Sequence, residues 1–242
     1  MAFELERLGQ SGISTLTPFD VRYPKQFVDK LGSKAPSLLY TAGDVDLLGI
    51  PAVGVVGSRD VSQEGAAVAE AAAVQAARQH CVLVSGGARG VDQLAMNAAF
   101  GAGGAVVGIL ADSLERNLKF PDVRRAIHYG QALMCSPYNP NAPFRAGNAM
   151  GRNKLVYALS DITLVVASDV DKGGTWAGAV EALKSNAGRV GVWRGPGQGP
   201  GNEELIERGG LPISSMAELK AAVFERPVVR VEPTYESQGL FL

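Results

Sequence analysis

The segment AVGVVGSRDVSQEG, residues 52–65, decides the fold class of this chain. A short apolar run, residues 52–58, ends in a turn, and an alanine-rich stretch, residues 61–80, follows with Ser62 placed to cap a helix. A second apolar run with a glycine turn, residues 81–87, comes next. A strand, a helix and a strand in this order predict a βαβ unit with both strands in one parallel sheet.

The same alternation continues along the chain. Further strands are predicted at residues 105–110, 132–136, 161–168 and 189–193, and helices at residues 91–100, 150–160 and 175–185. The strands are continuous apolar runs, which is typical of parallel strands covered on both faces. We therefore predict an α/β fold with a doubly wound, mostly parallel sheet flanked by helices.

The chain divides into three parts. Residues 1–50 are less periodic and are predicted to form a short extension packed on the sheet. Residues 51–225 are predicted to form the main domain, which includes short helices at 203–208 and 216–224. Residues 226–242 are predicted to form an extended tail.

Two connections in the main domain are predicted to be long loops. One contains Asn117 and Pro121. The other, residues 138–148, is rich in Pro, Asn and Gly, and its length indicates a functional loop.

Composition limits the kinds of ligand. The formal net charge is −1, so any contact with nucleic acid must come from a local cluster of cations. The 30 Gly and 13 Pro make up about 18% of the 242 residues, whereas the average share of these two residue types is about 12%. Because 46% of the residues are hydrophobic, this excess fits a folded protein with many tight turns rather than a disordered one.

The placement of cysteine and histidine and the lack of a targeting signal predict a cytoplasmic protein. We expect it to hold no metal and no cofactor. Cys81 and Cys135 are isolated in apolar runs and fit buried residues in a reducing compartment. His80 and His128 have no metal-ligand spacing to them. No membrane span and no signal peptide are predicted, since no run of about 18 apolar residues occurs.

Three loops after predicted strands carry candidate anion-binding residues. Ligands of open parallel sheets bind beyond the carboxyl ends of the strands, where glycine admits an oxyanion and arginine grips phosphate. The candidates are Ser58 and Arg59 after the first strand, Gly86, Gly87, Ala88 and Arg89 after the second, and Gly173, Gly174 and Thr175 after the fifth. The alternative is that the glycines only make turns and the arginines face solvent.

Other cations follow the second long loop. Asn148, Arg152, Asn153 and Lys154 lie at its end and on the helix after it. Arg152 or Lys154 alone fits a solvated helix residue, but together with Arg59 and Arg89 they could line one groove. No loop matches the phosphate-binding pattern of ATPases or the dinucleotide fingerprint, which disfavours ATP hydrolysis and NAD chemistry.

Four segments in order resemble the DNA-processing protein A (DprA/Smf) family. They are YPKQFVDKLGSKAPSLLYTAGDVDLL at residues 23–48, VGVVGSRDVSQEG at 53–65, VSGGARGVDQLAMNAA at 84–99 and FRAGNAMGRNKLVYALSDITLVVAS at 144–168. The last is similar to the family pattern Gly-Asn-Phe-x-x-Arg-Asn-Arg-Ile-Ile-Ala-x-Leu-Ser-Asp. The order and spacing of these segments carry the resemblance.

The resemblance implies a Rossmann-like domain that binds single-stranded DNA at the carboxyl edge of its sheet. It also implies a homodimer that helps to load a recombinase of RecA type during natural transformation. Carried over by motif, the DNA-binding candidates are Ser58, Arg59, Gly86, Gly87, Ala88, Arg89, Asn148, Arg152, Asn153 and Lys154. Many members carry a C-terminal winged-helix domain, and the residues after Leu211 are too few for one.

One departure from the family pattern leaves a nucleotide as an alternative ligand to single-stranded DNA. Gly173, Gly174 and Thr175 are closer to the related lysine-decarboxylase-like (LOG) nucleotide phosphoribohydrolases, for which Arg89 and Glu181 would form an imperfect catalytic pair. A carrier of a phosphorylated cofactor such as molybdopterin is a third alternative.

Three further side chains each have two interpretations. Asp92 and Asp161 are expected to brace backbone rather than to catalyse a reaction. Trp176 could stack a base or belong to the core.

Overall fold

A nine-stranded sheet runs through the computed structural model, which describes residues 2–224 and the side chains from residue 6 onward. The strands are β1 (Ser14–Leu16), β2 (Leu39–Gly43), β3 (Ala52–Val56), β4 (Val82–Ser85), β5 (Val106–Ile109), β6 (Ala132–Ser136), β7 (Ile162–Val165), β8 (Val190–Trp193) and β9 (Leu211–Ile213). Their order across the sheet is β1-β2-β6-β5-β4-β3-β7-β8-β9.

The sheet is mostly parallel, which confirms the predicted fold class. Neighbouring strands from β6 across to β9 are parallel, and β1 and β2 add an antiparallel pair beside β6. The chain winds outward from β3 in one direction and from β7 in the other. Such a reversal opens a crevice at the carboxyl ends of the strands, where ligands of this architecture bind.

Helices cover both faces of the sheet. They are α1 (Ala2–Gln10), α2 (Lys25–Leu31), α3 (Gln63–Arg78), α4 (Val91–Gly101), α5 (Leu114–Asn117), α6 (Pro121–His128), α7 (Ala146–Leu159), α8 (Gly173–Ser185), α9 (Asn202–Glu207) and α10 (Met216–Phe224). Val53 and Val55 of β3 pack with α3, α4 and α10 in one core cluster. Ala52 and Val56 of the same strand pack with α7, α8 and α9 in a second cluster. Alternate residues of β3 thus enter opposite core layers.

Several predicted elements are confirmed in detail. The Ser62 hydroxyl accepts a hydrogen bond from the Gly65 amide at 3.1 Å and caps α3. The last predicted helix coincides with α10, Met216–Phe224.

The prediction of a loop around Asn117 and Pro121 is wrong, because α5 and α6 occupy it. Ser113 caps α5 by accepting a hydrogen bond from the Arg116 amide at 3.1 Å. Pro121 stands in the first turn of α6, where its missing N–H costs nothing. A proline that suggests a loop thus marks a helix start.

Two helices begin earlier than predicted. The predicted loop at residues 138–148 ends too late, since α7 begins at Ala146 instead of Met150. The helix predicted from Thr175 begins at Gly173. In both cases glycines occupy the first turn, where helix propensity alone argues against a helix.

The strands at the two edges of the sheet are not predicted from the sequence. β1 and β9 are only three residues long, too short to show a period, and β2 lies in the less periodic first fifty residues. No helix within residues 2–224 is long and apolar enough to cross a membrane. The predicted tail, residues 226–242, lies outside the described residues.

Candidate functional site

An open cleft of about 390 Å³ lies beyond the carboxyl ends of β3, β4 and β5. Six of the predicted site residues line it: Arg59, Gly86, Gly87, Ala88, Arg89 and Arg152. Three residues that the sequence did not single out complete the lining: Ala111, Asp112 and Phe144. The cleft thus joins the turns after three β-strands, the long loop and α7 at one place.

Arg152 is the buried cation of the cleft. Only 4% of its surface is exposed, which rules out a solvated helix residue. Its guanidinium lies directly against Gly86, where a Cβ atom would be 1.4 Å from Nη1. Glycine is therefore required at position 86 by the close approach of Arg152.

The Arg152 guanidinium has the charges of Asp92 and Asp112 nearby but no hydrogen bond or salt bridge to them. Its Nε has no hydrogen bond, and no salt bridge to it forms within residues 2–224. Burial lowers the pKa of Arg152, and the charge of Asp92 opposes this shift. Arginine nevertheless stays charged in proteins, and buried guanidinium N–H groups without acceptors are unfavourable. An anion that enters the cleft would supply such an acceptor.

Asp92 organises the turn after β4. The carboxylate is buried, and Oδ2 accepts hydrogen bonds from the amides of Gly86 at 3.2 Å and Ala88 at 3.3 Å. Burial raises the pKa of Asp92, and the Arg152 charge and these amides oppose the increase. The expectation that Asp92 braces backbone is confirmed. The amides of Gly86 and Ala88, which the sequence predicts to bind phosphate, therefore already donate to a carboxylate of the protein.

Asp161 also braces backbone, as expected. Its Oδ2 accepts a hydrogen bond from the Ala52 amide at 2.8 Å, where β3 begins. This contact lies at the amino end of the strand, so Asp161 has no place at the carboxyl edge.

The two exposed arginines of the cleft make weak contacts. Arg89 Nη2 lies 2.9 Å from Asp60 Oδ1, with side-chain exposures of 72% and 88%. Arg59 Cζ lies 5.7 Å from the centroid of the Phe144 ring. Exposed ion pairs and cation–π contacts each contribute up to about 1 kcal/mol. Both guanidinium groups can therefore turn to an anion at little cost.

The predicted residues on α7 and α8 lie beside the cleft. Asn153 Nδ2 donates to the Gly174 carbonyl at 2.8 Å, and Thr175 Oγ1 donates to the Gly57 carbonyl at 2.9 Å. These bonds connect the start of α8 to the neighbours of Arg152 and Arg59. No side chain caps α8, so its first amides remain available.

Other predicted residues have structural contacts. Ser58 Oγ donates to the Asp60 carbonyl at 3.1 Å and shapes the turn that carries Arg59. The Asn148 carbonyl accepts a hydrogen bond from the Tyr138 hydroxyl at 2.9 Å. Lys154 is half-buried on α7, outside the cleft lining.

Two alternatives for individual residues are settled by their positions. Trp176 is 6% exposed, and Arg208 Cζ lies 5.3 Å from its ring centroid, so it packs in the core and cannot stack a base. Glu181 is exposed two turns into α8, and it does not line the cleft that Arg89 lines. The two members of the imperfect catalytic pair thus do not meet there.

The cysteines belong to the core. Cys81 and Cys135 are both buried and unpaired. Burial raises the pKa of Cys135 to about 12 and also raises that of Cys81, so both thiols stay protonated. They are structural residues, as predicted. Within residues 2–224, no cluster of three His, Cys, Asp or Glu side chains could hold a metal ion.

The fold and the cleft define a Rossmann-like protein with an arginine-lined anion site at the carboxyl edge of its sheet. Residues 14–223 match the model of the family described as DNA recombination-mediator protein A. The chain belongs to this family.

Known relatives agree with this assignment. The DNA processing protein DprA of Bacillus subtilis is 27% identical over 231 residues, which cover 93% of this chain and 76% of that protein. The chain spans about half the length of the other curated relatives that it matches.

Solved structures agree as well. The structure of DNA processing protein A from Streptococcus pneumoniae is similar with a TM-score of 0.74 and 26% identity, over 89% of this chain and 77% of that one. The Helicobacter pylori protein, whose structure describes a single-stranded DNA binding mode, has a TM-score of 0.70 and 28% identity, over 86% and 93% of the two chains. A molybdenum cofactor binding protein from Rippkaea orientalis, with a TM-score of 0.53, 19% identity and coverage of 72% and 95%, shares the fold alone.

Proposed function

We propose that this chain binds single-stranded DNA in the cleft and acts as a recombination mediator in natural transformation. The observation that carries the proposal is the convergence of Arg59, Arg89 and Arg152 from three parts of the chain on one cleft. Membership of the family and the DNA-binding mode described for the Helicobacter pylori relative support it. In a chain of net charge −1, such a convergence is a local site for an anion.

In this proposal one phosphate enters the cleft and pairs with Arg152. Arg89 leaves Asp60 and Arg59 leaves Phe144 to contact the same or the neighbouring phosphate. The amides of Gly87 and Arg89, which have no acceptor within the described residues, complete the group of donors. Charge-assisted hydrogen bonds of this kind are about twice as strong as neutral ones.

The next phosphate of the strand lies at the start of α8. The uncapped amides of Gly173, Gly174 and Thr175 adjoin the cleft through the hydrogen bonds to Gly57 and Asn153. A helix N-terminus favours a phosphate through its free amides and its dipole. Ser58, Asn148, Asn153 and Lys154 then hold or flank the loops that the strand follows.

The partners and location follow from the same proposal. The chain pairs with a second copy and helps to load a recombinase of RecA type in the cytoplasm. Family membership supports these assignments.

Fluorescence anisotropy with a labelled oligonucleotide across a salt series tests the binding site. The double variant Arg59→Ala, Arg89→Ala should bind at least tenfold more weakly at low salt. The slope of log affinity against log salt should fall by about 0.7 for each phosphate that no longer pairs with an arginine.

A matched double variant controls for the removal of two charges. Arg78 and Lys184 lie in the last turns of α3 and α8, which end at the opposite edge of the sheet. Arg78→Ala with Lys184→Ala should bind like the wild type. Equally weakened binding in both double variants would refute the cleft as the site, and a wild type that binds no oligonucleotide at low salt would refute the function. If a mononucleotide bound as tightly as an oligonucleotide, the ligand of the cleft would be a nucleotide and not single-stranded DNA.

A further inference from the structure

Phe144 is an exposed aromatic ring inside a cationic cleft. It is 52% exposed and lines the cleft together with three arginines. Its contact within the cleft is the Arg59 guanidinium, 5.7 Å from the ring centroid. Aromatic rings beside cations bind nucleic-acid bases by stacking, with little dependence on the identity of the base. The ring therefore marks where a base lies once phosphate occupies the arginines.

Asp112 is the carboxylate of the same cleft. Its side chain is 21% exposed and is paired with Arg116, whose guanidinium contacts Oδ2. Its Oδ1 accepts a hydrogen bond from Asn117 Nδ2 at 3.3 Å. These two contacts fix the orientation of the carboxylate. Each carboxylate oxygen can accept more than one hydrogen bond, so capacity for a ligand remains.

Asp112 lies within electrostatic reach of Arg152, since its charge opposes the lowering of the Arg152 pKa. A carboxylate repels phosphate, so a strand whose phosphate pairs with Arg152 should bring a neutral part of the nucleotide to Asp112. It accepts hydrogen bonds and donates none, and it therefore selects a group that only donates. Beside a stacking ring, a base edge that presents adjacent N–H groups is such a group.

Among the four bases, only guanine presents two adjacent donors, N1–H and N2–H, to a single carboxylate. Thymine offers N3–H between two carbonyl oxygens. Cytosine and adenine each place a ring nitrogen acceptor beside the amino group. Each of these acceptors would face a carboxylate oxygen and repel it.

We propose that the cleft contains a base subsite that prefers guanine, with Phe144 stacking the base and Asp112 accepting its N1–H and N2–H. This inference rests on the proposed binding of single-stranded DNA and adds a sequence preference to it. Arg116 and Asn117 are positioning residues that hold the carboxylate.

Competition anisotropy with wild-type protein tests the preference. Five competitors are compared. One is a thymidine 20-mer, and the other four are the same 20-mer with isolated thymidines replaced by guanosine, deoxyinosine, adenosine or cytidine. The guanosine oligomer should compete at least about fivefold better than the thymidine oligomer, as expected for one bidentate base contact. Deoxyinosine lacks N2–H and should lose most of this gain, and adenosine and cytidine should resemble thymidine.

Two variants locate the preference. Asp112→Asn replaces one acceptor oxygen by a donor and should bring the guanosine-to-thymidine ratio close to one. Asp122→Asn on the exposed first turn of α6 should keep the ratio. Phe144→Leu should weaken binding of every oligonucleotide severalfold, and Phe144→Trp should restore it.

The failure of this inference is distinguishable from the failure of the proposed function. Equal competition by all five oligonucleotides would overturn the guanine subsite while DNA binding stands. Absence of binding to all of them would overturn the proposed function itself. A Phe144→Leu variant that binds like the wild type would overturn the stacking role.

Discussion

Two glycine-rich turns at the same edge of the sheet differ in what occupies their amides. In residues 85–90, the amides of Gly86 and Ala88 donate to the buried carboxylate of Asp92. In residues 172–175, the first amides of α8 have no side-chain cap. Half of the first turn is thus occupied by an anion of the protein itself, with the amides of Gly87 and Arg89 left without an acceptor among the described residues, and the second turn is open.

The comparison shows that a glycine turn beside a cation does not bind an anion in one way. In the first turn, Arg152 is the main anion-binding group because it lies against Gly86 with its Nε not hydrogen-bonded to any described residue, and the amides of Gly87 and Arg89 add to it. In the second turn, backbone amides and the helix dipole bind the anion. Similar sequences thus supply positive charge mainly from a side chain in one case and from backbone in the other.

The largest effect is expected from Asp92→Ala, which removes the internal anion of the first turn. The buried Gly86 amide and the half-buried Ala88 amide lose their acceptor, and hydrogen bonds to charged groups contribute about 1.5–3 kcal/mol each. The free energy of unfolding in urea should fall by about 3 kcal/mol or more. Asp122→Ala on the surface should change it by less than about 0.5 kcal/mol. A decrease below about 1 kcal/mol for Asp92→Ala would show that the turn does not depend on this carboxylate.

Gly86→Ala should displace the buried guanidinium. The new Cβ atom would lie 1.4 Å from Arg152 Nη1, and the arginine can move because it is long and flexible. We expect DNA affinity to fall by about tenfold, which corresponds to about 1.4 kcal/mol, because one charge-assisted hydrogen bond to phosphate is removed. Gly147→Ala in the first turn of α7, where a Cβ meets nothing within 4 Å, is the control. Equal affinities for the two variants would contradict the role of Arg152.

Thr175→Val tests the open turn. It removes the hydrogen bond from Oγ1 to the Gly57 carbonyl but keeps the amide at the start of α8. Thermal unfolding should report a destabilisation of about 1 kcal/mol, while the salt dependence of DNA binding should stay unchanged. A reduced salt slope would show that the hydroxyl itself contributes to the contact with phosphate.

The smallest effect is a pH dependence from Asp92. Because burial raises its pKa in the folded state, the native protein takes up this proton at a higher pH than the unfolded chain. As pH falls through the raised folded pKa toward the ordinary value of about 3.9, the free energy of unfolding of the wild type should rise relative to Asp92→Asn. The asparagine keeps an acceptor oxygen for both amides. Urea titrations of the two proteins at several pH values would measure the difference, and a constant difference would contradict the raised pKa.

The central strands could be predicted because both of their faces are buried. In β3, Val53 and Val56 enter opposite core clusters, so the sequence reads as one continuous apolar run. The edge strands β1 and β9 could not be predicted, since only one residue of each is buried. Their formation depends on pairing with neighbours that are distant in sequence.

The candidate site was predictable in part. Its glycines and the two exposed arginines, Arg59 and Arg89, directly follow strands, and the sheet topology brings them together. Arg152 carried a further signal, since it stands three, four and seven residues before Leu155, Val156 and Leu159, on the buried face of α7. Phe144 and Asp112 carried no such signal. They lie in connections without a period, and only the tertiary structure brings them into the cleft.

The two outer strands have a consequence for aggregation. Within the described residues, the sheet ends at β1 on one side and β9 on the other, each only three residues long. Pro212 in β9 also lacks the N–H that an added strand would need. Short edges with proline disfavour edge-to-edge pairing between molecules. The described part of the sheet should therefore resist fibril growth by edge pairing, which leaves the helices and loops of this part for contacts between copies.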